Sequence, residues 1–139
     1  MRVTALVVAL LMAALVGACG NSEEDDAQAA VCSARDSIAK EVEQLQSLTL
    51  TTATTSQLSE SLQAIGDDLT TIQKSREKLS DDRREEVDAA NEEFASQMTE
   101  LAGTIGRTVS AEGAAAELEA SLDKLATSYR DSFGQIDCS

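Results

Sequence analysis

Residues 58 to 87 read LSESLQAIGDDLTTIQKSREKLSDDRREEV. Leu58, Leu62, Ile65, Leu69, Ile72 and Leu79 recur at steps of three and four, which puts them on one face of an α-helix. Arg76 takes the single seam position that is not apolar, near enough to the helix end for its charge to reach water along an alkyl stem. Gly66 falls mid-helix, where glycine costs about 1 kcal/mol against alanine; it either permits a close approach or has no role. The residues that decide the fold are SDDRREE, between Leu79 and Val87. No glycine or proline forces a break there, so the seam could run on into the next apolar stripe as one helix of roughly 50 residues, well beyond the usual 8–20. Charge favours a break. Lys74, Arg76 and Lys78 suit a helix C-terminus, while Asp81 and Asp82 suit a first turn after Ser80 as N-cap. The stripe also slips by one residue across the gap.

Working outward, a third stripe runs Val87, Phe94, Met98, Leu101 and Ile105, weakened at its end by Gly103 and Gly106. Ser110 is an N-cap candidate with Glu112 in the following first turn. The fourth stripe is Leu118, Leu122, Leu125, Tyr129, Phe133 and Ile136. On the other side, Val31, Ile38, Val42, Leu45 and Leu48 form the first, with Asp36 and Lys40 as an i,i+4 pair on its polar side. The stretch TLTTATTSQ then interrupts the pattern with β-branched residues, and Thr54 with Gln57 makes a capping box for the next helix. The expected fold is all-α: an antiparallel four-helix bundle, with a long-helix hairpin carrying two outer helices as the alternative.

Composition agrees. The chain has 139 residues with no proline, tryptophan or histidine, and its only aromatic residues are Phe94, Tyr129 and Phe133. A formal net charge of -14 excludes nucleic acid as a partner, because a polyphosphate needs a basic face. An acidic surface of this kind keeps a protein soluble and monomeric.

The N-terminus has a different character. Met1 and Arg2 precede an apolar run from Val3 to Val16 that is too short for a membrane span of about 20 residues and has the layout of a secretory signal. Val16-Gly17-Ala18-Cys19 follows: an aliphatic residue, two small ones and a thiol. This tetrapeptide resembles a bacterial lipobox, which implies cleavage before Cys19 and diacylglycerol on its sulfur. An ordinary secretory signal cut near Ala18 is the alternative, but it leaves the position of the cysteine unexplained. Residues 1–18 therefore read as a lipoprotein signal peptide and 19–28 as the lipidated cysteine with an acidic tether, GNSEEDDAQ, too polar to bury a core. Residues 29–139 read as the bundle domain.

With Cys19 assigned to the anchor, Cys32 and Cys138 remain as an even pair in an exported chain and are expected to form a disulfide across the whole domain. No CxxC motif or activating neighbour suggests redox catalysis. Either helical arrangement brings the two ends together.

The chemical inventory is thin. Without histidine there is no Ser-His-Asp triad, no ordinary zinc site and no Glu-x-x-His di-iron motif, and no glycine-rich phosphate loop follows a strand. The acidic tether lacks the ligand spacing of a calcium loop. Asp67-Asp68, Asp81-Asp82, Glu85-Glu86 and Glu92-Glu93 are sequence neighbours that diverge on a helix, so they read as solvated surface and not as acid–base dyads. Tyr129 belongs to an apolar stripe and reads as core. No catalytic residue, metal or cofactor is expected.

The lipobox followed by one helical domain resembles small bacterial envelope lipoproteins. VCSARDSIAKEVEQLQSL, residues 31–48, is similar to a group of short exported helical proteins of high-GC Gram-positive bacteria with no assigned function. The resemblance implies fold and an extracytoplasmic, lipid-anchored address, with no functional residue to carry over. The expected function is a non-enzymatic interaction module binding an envelope protein through a helical face. One alternative is a carrier or sensor holding a hydrophobic ligand in an apolar groove. Another, by analogy of architecture alone, is a surface defence lipoprotein that blocks phage entry. The helical seam would also permit a homodimer.

Overall fold

The computed structural model describes residues 21–48, 54–108 and 114–139. Residues 1–20, expected to hold a signal peptide and a lipobox ending at Cys19, most of the threonine-rich stretch, and the capping candidates Ser110 and Glu112 lie outside the described residues. Among the described residues four α-helices follow one another: α1 (Asn21–Ser47), α2 (Thr54–Ser75), α3 (Asp81–Thr108) and α4 (Ala114–Asp131). Two short 3-10 turns, Arg76–Lys78 and Phe133–Gln135, finish α2 and α4. The closest pairings are α1 with α2 and α3 with α4, and looser contacts of α1 with α4 and α2 with α3 close the ring. This is an antiparallel four-helix bundle.

The apolar stripes meet in one core. Val31, Ile38 and Leu45 of α1, Ile65 and Ile72 of α2, Phe94 and Leu101 of α3, and Leu125 of α4 are all at most 2% exposed. Each buried aliphatic side chain of this kind stabilises the fold by about 1.5–3 kcal/mol before chain entropy is set against it. Ala27, Ala34, Ala90 and Ala126 are buried too, and their small side chains let the helices approach. The three aromatic rings meet at one level of the core: Phe94 stands edge-on to Phe133 at 5.6 Å and to Tyr129 at 6.0 Å.

The long-helix alternative fails at Leu79. Its backbone is extended, with ψ 154°, directly after the 3-10 turn, and Leu79 itself remains buried in the core. Ser80 then opens α3, its carbonyl accepting the Arg84 N–H at 2.8 Å. The Arg84 side chain secures the corner. Its Nε donates to the Arg76 carbonyl at 3.3 Å, and its Nη2 to the carbonyls of Glu77 and Leu79, both at 3.2 Å. A helix leaves such carbonyls short of partners where it ends, and that of Arg76 also accepts the Leu79 N–H at 3.0 Å. We expect Arg84→Ala to lower stability by about 1 kcal/mol, the part-exposed setting keeping the loss at the small end for a charged donor. Arg84→Lys should not restore it, since a single ammonium cannot span three carbonyls as a guanidinium fork does. Thermal melts of the two variants test this, and an unchanged Arg84→Ala midpoint would remove the cap from the account.

The acidic stretch expected as a tether is helical from Asn21 onward. Glu23 and Glu24 occupy the first turn of α1, where the helix dipole favours anions, and Ala27 is 4% exposed in the core. Asp25 and Asp26 stay exposed, so the polarity was read correctly but the conformation was not. Asp36 likewise pairs with the adjacent Arg35 at 2.9 Å, where an i,i+4 pair with Lys40 was expected.

At the other end of the chain, α4 stops at Ser132, whose Oγ donates to the Ser128 carbonyl at 2.6 Å. The tighter turn that follows buries Phe133 and Ile136 as a plug under the core.

Candidate interaction surface

Cys32 and Cys138 are joined by a disulfide with a Cα–Cα distance of 5.7 Å. It binds the C-terminal residues to α1, and two hydrogen bonds repeat the tie. Arg35 Nη1 donates to the Ile136 carbonyl at 2.9 Å, and the Tyr129 hydroxyl donates to the Arg35 carbonyl at 3.0 Å. The start of α1 is held at the same end of the bundle: Glu24 Oε1 accepts from the Ser80 N–H at 3.1 Å, and Glu23 faces Lys78 at 3.9 Å.

The carboxylate pairs lie as solvated surface. Asp67, Asp81, Asp82, Glu85, Glu86, Glu92 and Glu93 are exposed and Asp68 is half-buried. Among the described residues no group of three potential metal ligands comes together, and no helix is long and apolar enough to cross a membrane. Tyr129 is half-buried, and burial pushes its phenol above the ordinary value. Arg76 does not simply reach water. It forms a charge-assisted hydrogen bond with Asp88 of α3, which raises the guanidinium pKa further. Asp137 is held below the usual carboxylate range by hydrogen bonds from the Ser139 hydroxyl and backbone N–H.

Between Val31, Leu79, Val87 and Ile136 lies a cavity of about 10 Å³, no more than one water needs. A wide cleft of about 360 Å³ opens between the far ends of α1 and α2, lined by Glu41, Gln44, Leu48, Gln57, Glu60, Ser61 and Ala64. Its walls are mostly polar.

The flanks of α2 and α3 can be assigned from these contacts. Gln57, Ser61 and Ala64 face α1 across the cleft. At 100° per residue, Leu62, Gly66, Leu69 and Gln73 therefore fall on the opposite flank of α2, toward α3. On α3, Glu100 meets Lys124 of α4 at 3.4 Å, Thr104 meets Ser121 at 3.5 Å, and Arg107 meets Glu117 at 4.0 Å. The α2-facing flank of α3 is thus marked by Asp88, Ala95, Met98 and Ala102, in keeping with the Arg76–Asp88 pair. Leu62, Leu69, Met98 and Ile105 are only partly buried against the core. Around them Ser59, Gly66, Thr70 and Gln73 on α2, and Ala95, Thr99, Ala102 and Gly106 on α3, carry no charge. In a chain with 26% charged residues, these flanks carry none among the described residues above the border at Asp88 and Glu92.

No family model, curated protein or solved structure matches this chain.

Sequence reasoning placed Leu62, Leu69, Met98 and Ile105 in the helical seams, but not on the looser side of the bundle. The signal was present as the uncharged run of α2 opposite Glu60, Asp67 and Asp68, yet it has meaning only once the α1 side of α2 is known. Arg84 and Arg35 were missed because their acceptors are backbone carbonyls, which no residue pattern advertises.

Proposed function

We propose that this chain is a lipid-anchored helical module of the cell envelope, attached outside the cytoplasmic membrane through Cys19 and acting by binding an envelope protein, without catalysis. The observation that carries this reading is the contrast between a buried apolar core and an uncharged side of α2 and α3 where Leu62, Leu69, Met98 and Ile105 are only partly buried. The pocket among the core residues, about 10 Å³, is far below the 300–1,000 Å³ of ordinary ligand pockets, and the cleft of about 360 Å³ is open and mostly polar, which favours a surface function over a carrier of a hydrophobic ligand. The start of α1 at Asn21 leaves only Gly20 between the helix and the lipid-bearing cysteine, so the bundle would stand directly on its anchor. Its far end would then lie about 40 Å from the membrane, at 1.5 Å per residue of α1.

Cys19→Ser tests the anchor. Two or three acyl chains, at about 0.8 kcal/mol per buried CH₂, hold a protein at a membrane almost permanently. The variant is expected to leave the membrane fraction while its thermal melt is unchanged. Retention like the wild type would sink the anchor assignment. Cross-linking on intact cells followed by mass spectrometry tests the binding role, with a reproducible partner linked to one helical face as the expected result.

A further inference from the structure

The links between helices are spread unevenly along the bundle. Its two tight hairpins, α1–α2 and α3–α4, meet through looser contacts of α1 with α4 and of α2 with α3. We propose that the bundle is a hinged clamp. The hairpins stay joined over the half that holds the start of α1, and they part over the far half. This device goes beyond the interaction reading and depends on neither the anchor nor a partner.

The joined half carries the strong links. The Cys32–Cys138 disulfide, Arg35 on the Ile136 carbonyl and the Tyr129 hydroxyl on the Arg35 carbonyl bind α1 to α4 and the residues after it. Arg76–Asp88 and the Arg84 corner bind α2 to α3. Glu24 and Glu23 reach from α1 to Ser80 and Lys78. In the far half, polar pairs among the described residues join α3 to α4, its own hairpin partner: Glu100–Lys124, Thr104–Ser121 and Arg107–Glu117. There the hairpins meet through buried apolar side chains such as Val42, Leu58, Leu101 and Leu122, whose attraction is not directional.

The helices have a place to bend. Counting equal rise from the Arg76–Asp88 pair along antiparallel α2 and α3 sets Gly66 and Thr70 opposite Met98 and Phe94. At this height Thr70 Oγ1 donates to the Gly66 carbonyl at 3.0 Å, and Thr71 Oγ1 to the Asp67 carbonyl at 3.1 Å. On α3, Thr99 Oγ1 donates to the Ala95 carbonyl at 3.0 Å. Such bonds to the carbonyl one turn back loosen the helical ladder and favour bending. Gly66 is not required by packing, since a Cβ there would meet nothing within 4 Å. A glycine inside a helix is a weak point of its backbone. The weak points of both helices therefore coincide above the Arg76–Asp88 tie. Parting the far half leaves the disulfide and the corner in place, so it costs less than global unfolding.

The test is thiol labelling of cysteines placed in the core of the full chain, purified in mild detergent with Cys32–Cys138 oxidised. Val42→Cys on α1 and Thr104→Cys on α3 report on the far half, one in each hairpin. Ala90→Cys reports on the joined half. All three positions are buried, and each replacement is close in size to the native residue, so little is lost in packing. Peptide mass spectrometry reads the rate at each added thiol. Positions 42 and 104 are expected to react at matching rates, at least about 100-fold faster than position 90, because one partial opening exposes both. Leu122→Cys and Ile72→Cys make the same comparison if a variant of the first set does not fold. Equal rates in both halves would overturn the clamp, since global unfolding alone would then expose the core. Unmatched rates at positions 42 and 104 would overturn it too, as the sign of separate fraying in each hairpin.

Discussion

Replacing Cys32 and Cys138 by alanine is expected to lower the stability of the bundle by about 4–5 kcal/mol, the chain-entropy value for a closed loop of about 100 residues. The bridge spans 106 residues of sequence, so it restricts nearly the whole unfolded chain of the domain. The effect should reside mainly in the unfolded state. The native contacts around the bridge remain when it is gone: Arg35 still holds the Ile136 carbonyl, Tyr129 still holds the Arg35 carbonyl, and Phe133 and Ile136 are still buried. The variant should therefore keep its helical circular dichroism and its cooperative transition while the midpoint falls by roughly 15–20 °C. Membrane attachment should be unaffected, which separates this pair from Cys19. A midpoint within a few degrees of wild type would mean that the unfolded chain is already compact, or that the bridge strains the native state by as much as it restricts the other.

Phe94→Ala should cost about 3–5 kcal/mol. Phe94 is 0% exposed and occupies the middle of α3, where its ring is the common neighbour of Phe133 and Tyr129. These three are all the aromatic residues the chain has, so no further ring is present to fill the space. Removal empties a ring-sized volume and also loses two edge-to-face contacts, each worth about 0.5–1.5 kcal/mol beyond area. Phe94→Leu keeps most of the volume and should lose roughly 1–1.5 kcal/mol. Denaturant titrations of the two variants provide the comparison. Equal losses would show that the aromatic contacts, not the volume, account for the stability at this level of the core.

Much of this architecture was legible from residue order. Leu58 to Leu79 and the three other stripes stand at helical spacing, and a helix fixes which side chains share a face whatever it packs against. The break at Leu79–Ser80 was legible from the change of charge around it. The start of α1 was not, because a run such as SEEDD satisfies both a solvated tether and the first turn of a helix. What decides between them is Ala27 in the core, together with the grip of Ser80 and Lys78 on Glu24 and Glu23. Those partners lie more than fifty residues away in sequence. The site was less legible than the fold, since an uncharged flank on one helix is informative only beside its neighbour.

By itself, then, the sequence determined an all-α chain of four amphipathic stripes, no histidine chemistry, an acidic surface, and an even pair of cysteines beyond Cys19. These follow from local periodicity and composition, which act within a turn or over the whole chain and need no knowledge of neighbours. Only the tertiary structure decided that α1 begins at Asn21, that Arg84 closes the corner between α2 and α3, that three scattered aromatic residues meet, and that α2 and α3 share the bundle's looser, uncharged side. Each of these depends on which helices lie side by side. That choice comes from burying all four stripes at once, a condition on the whole chain that no single segment carries.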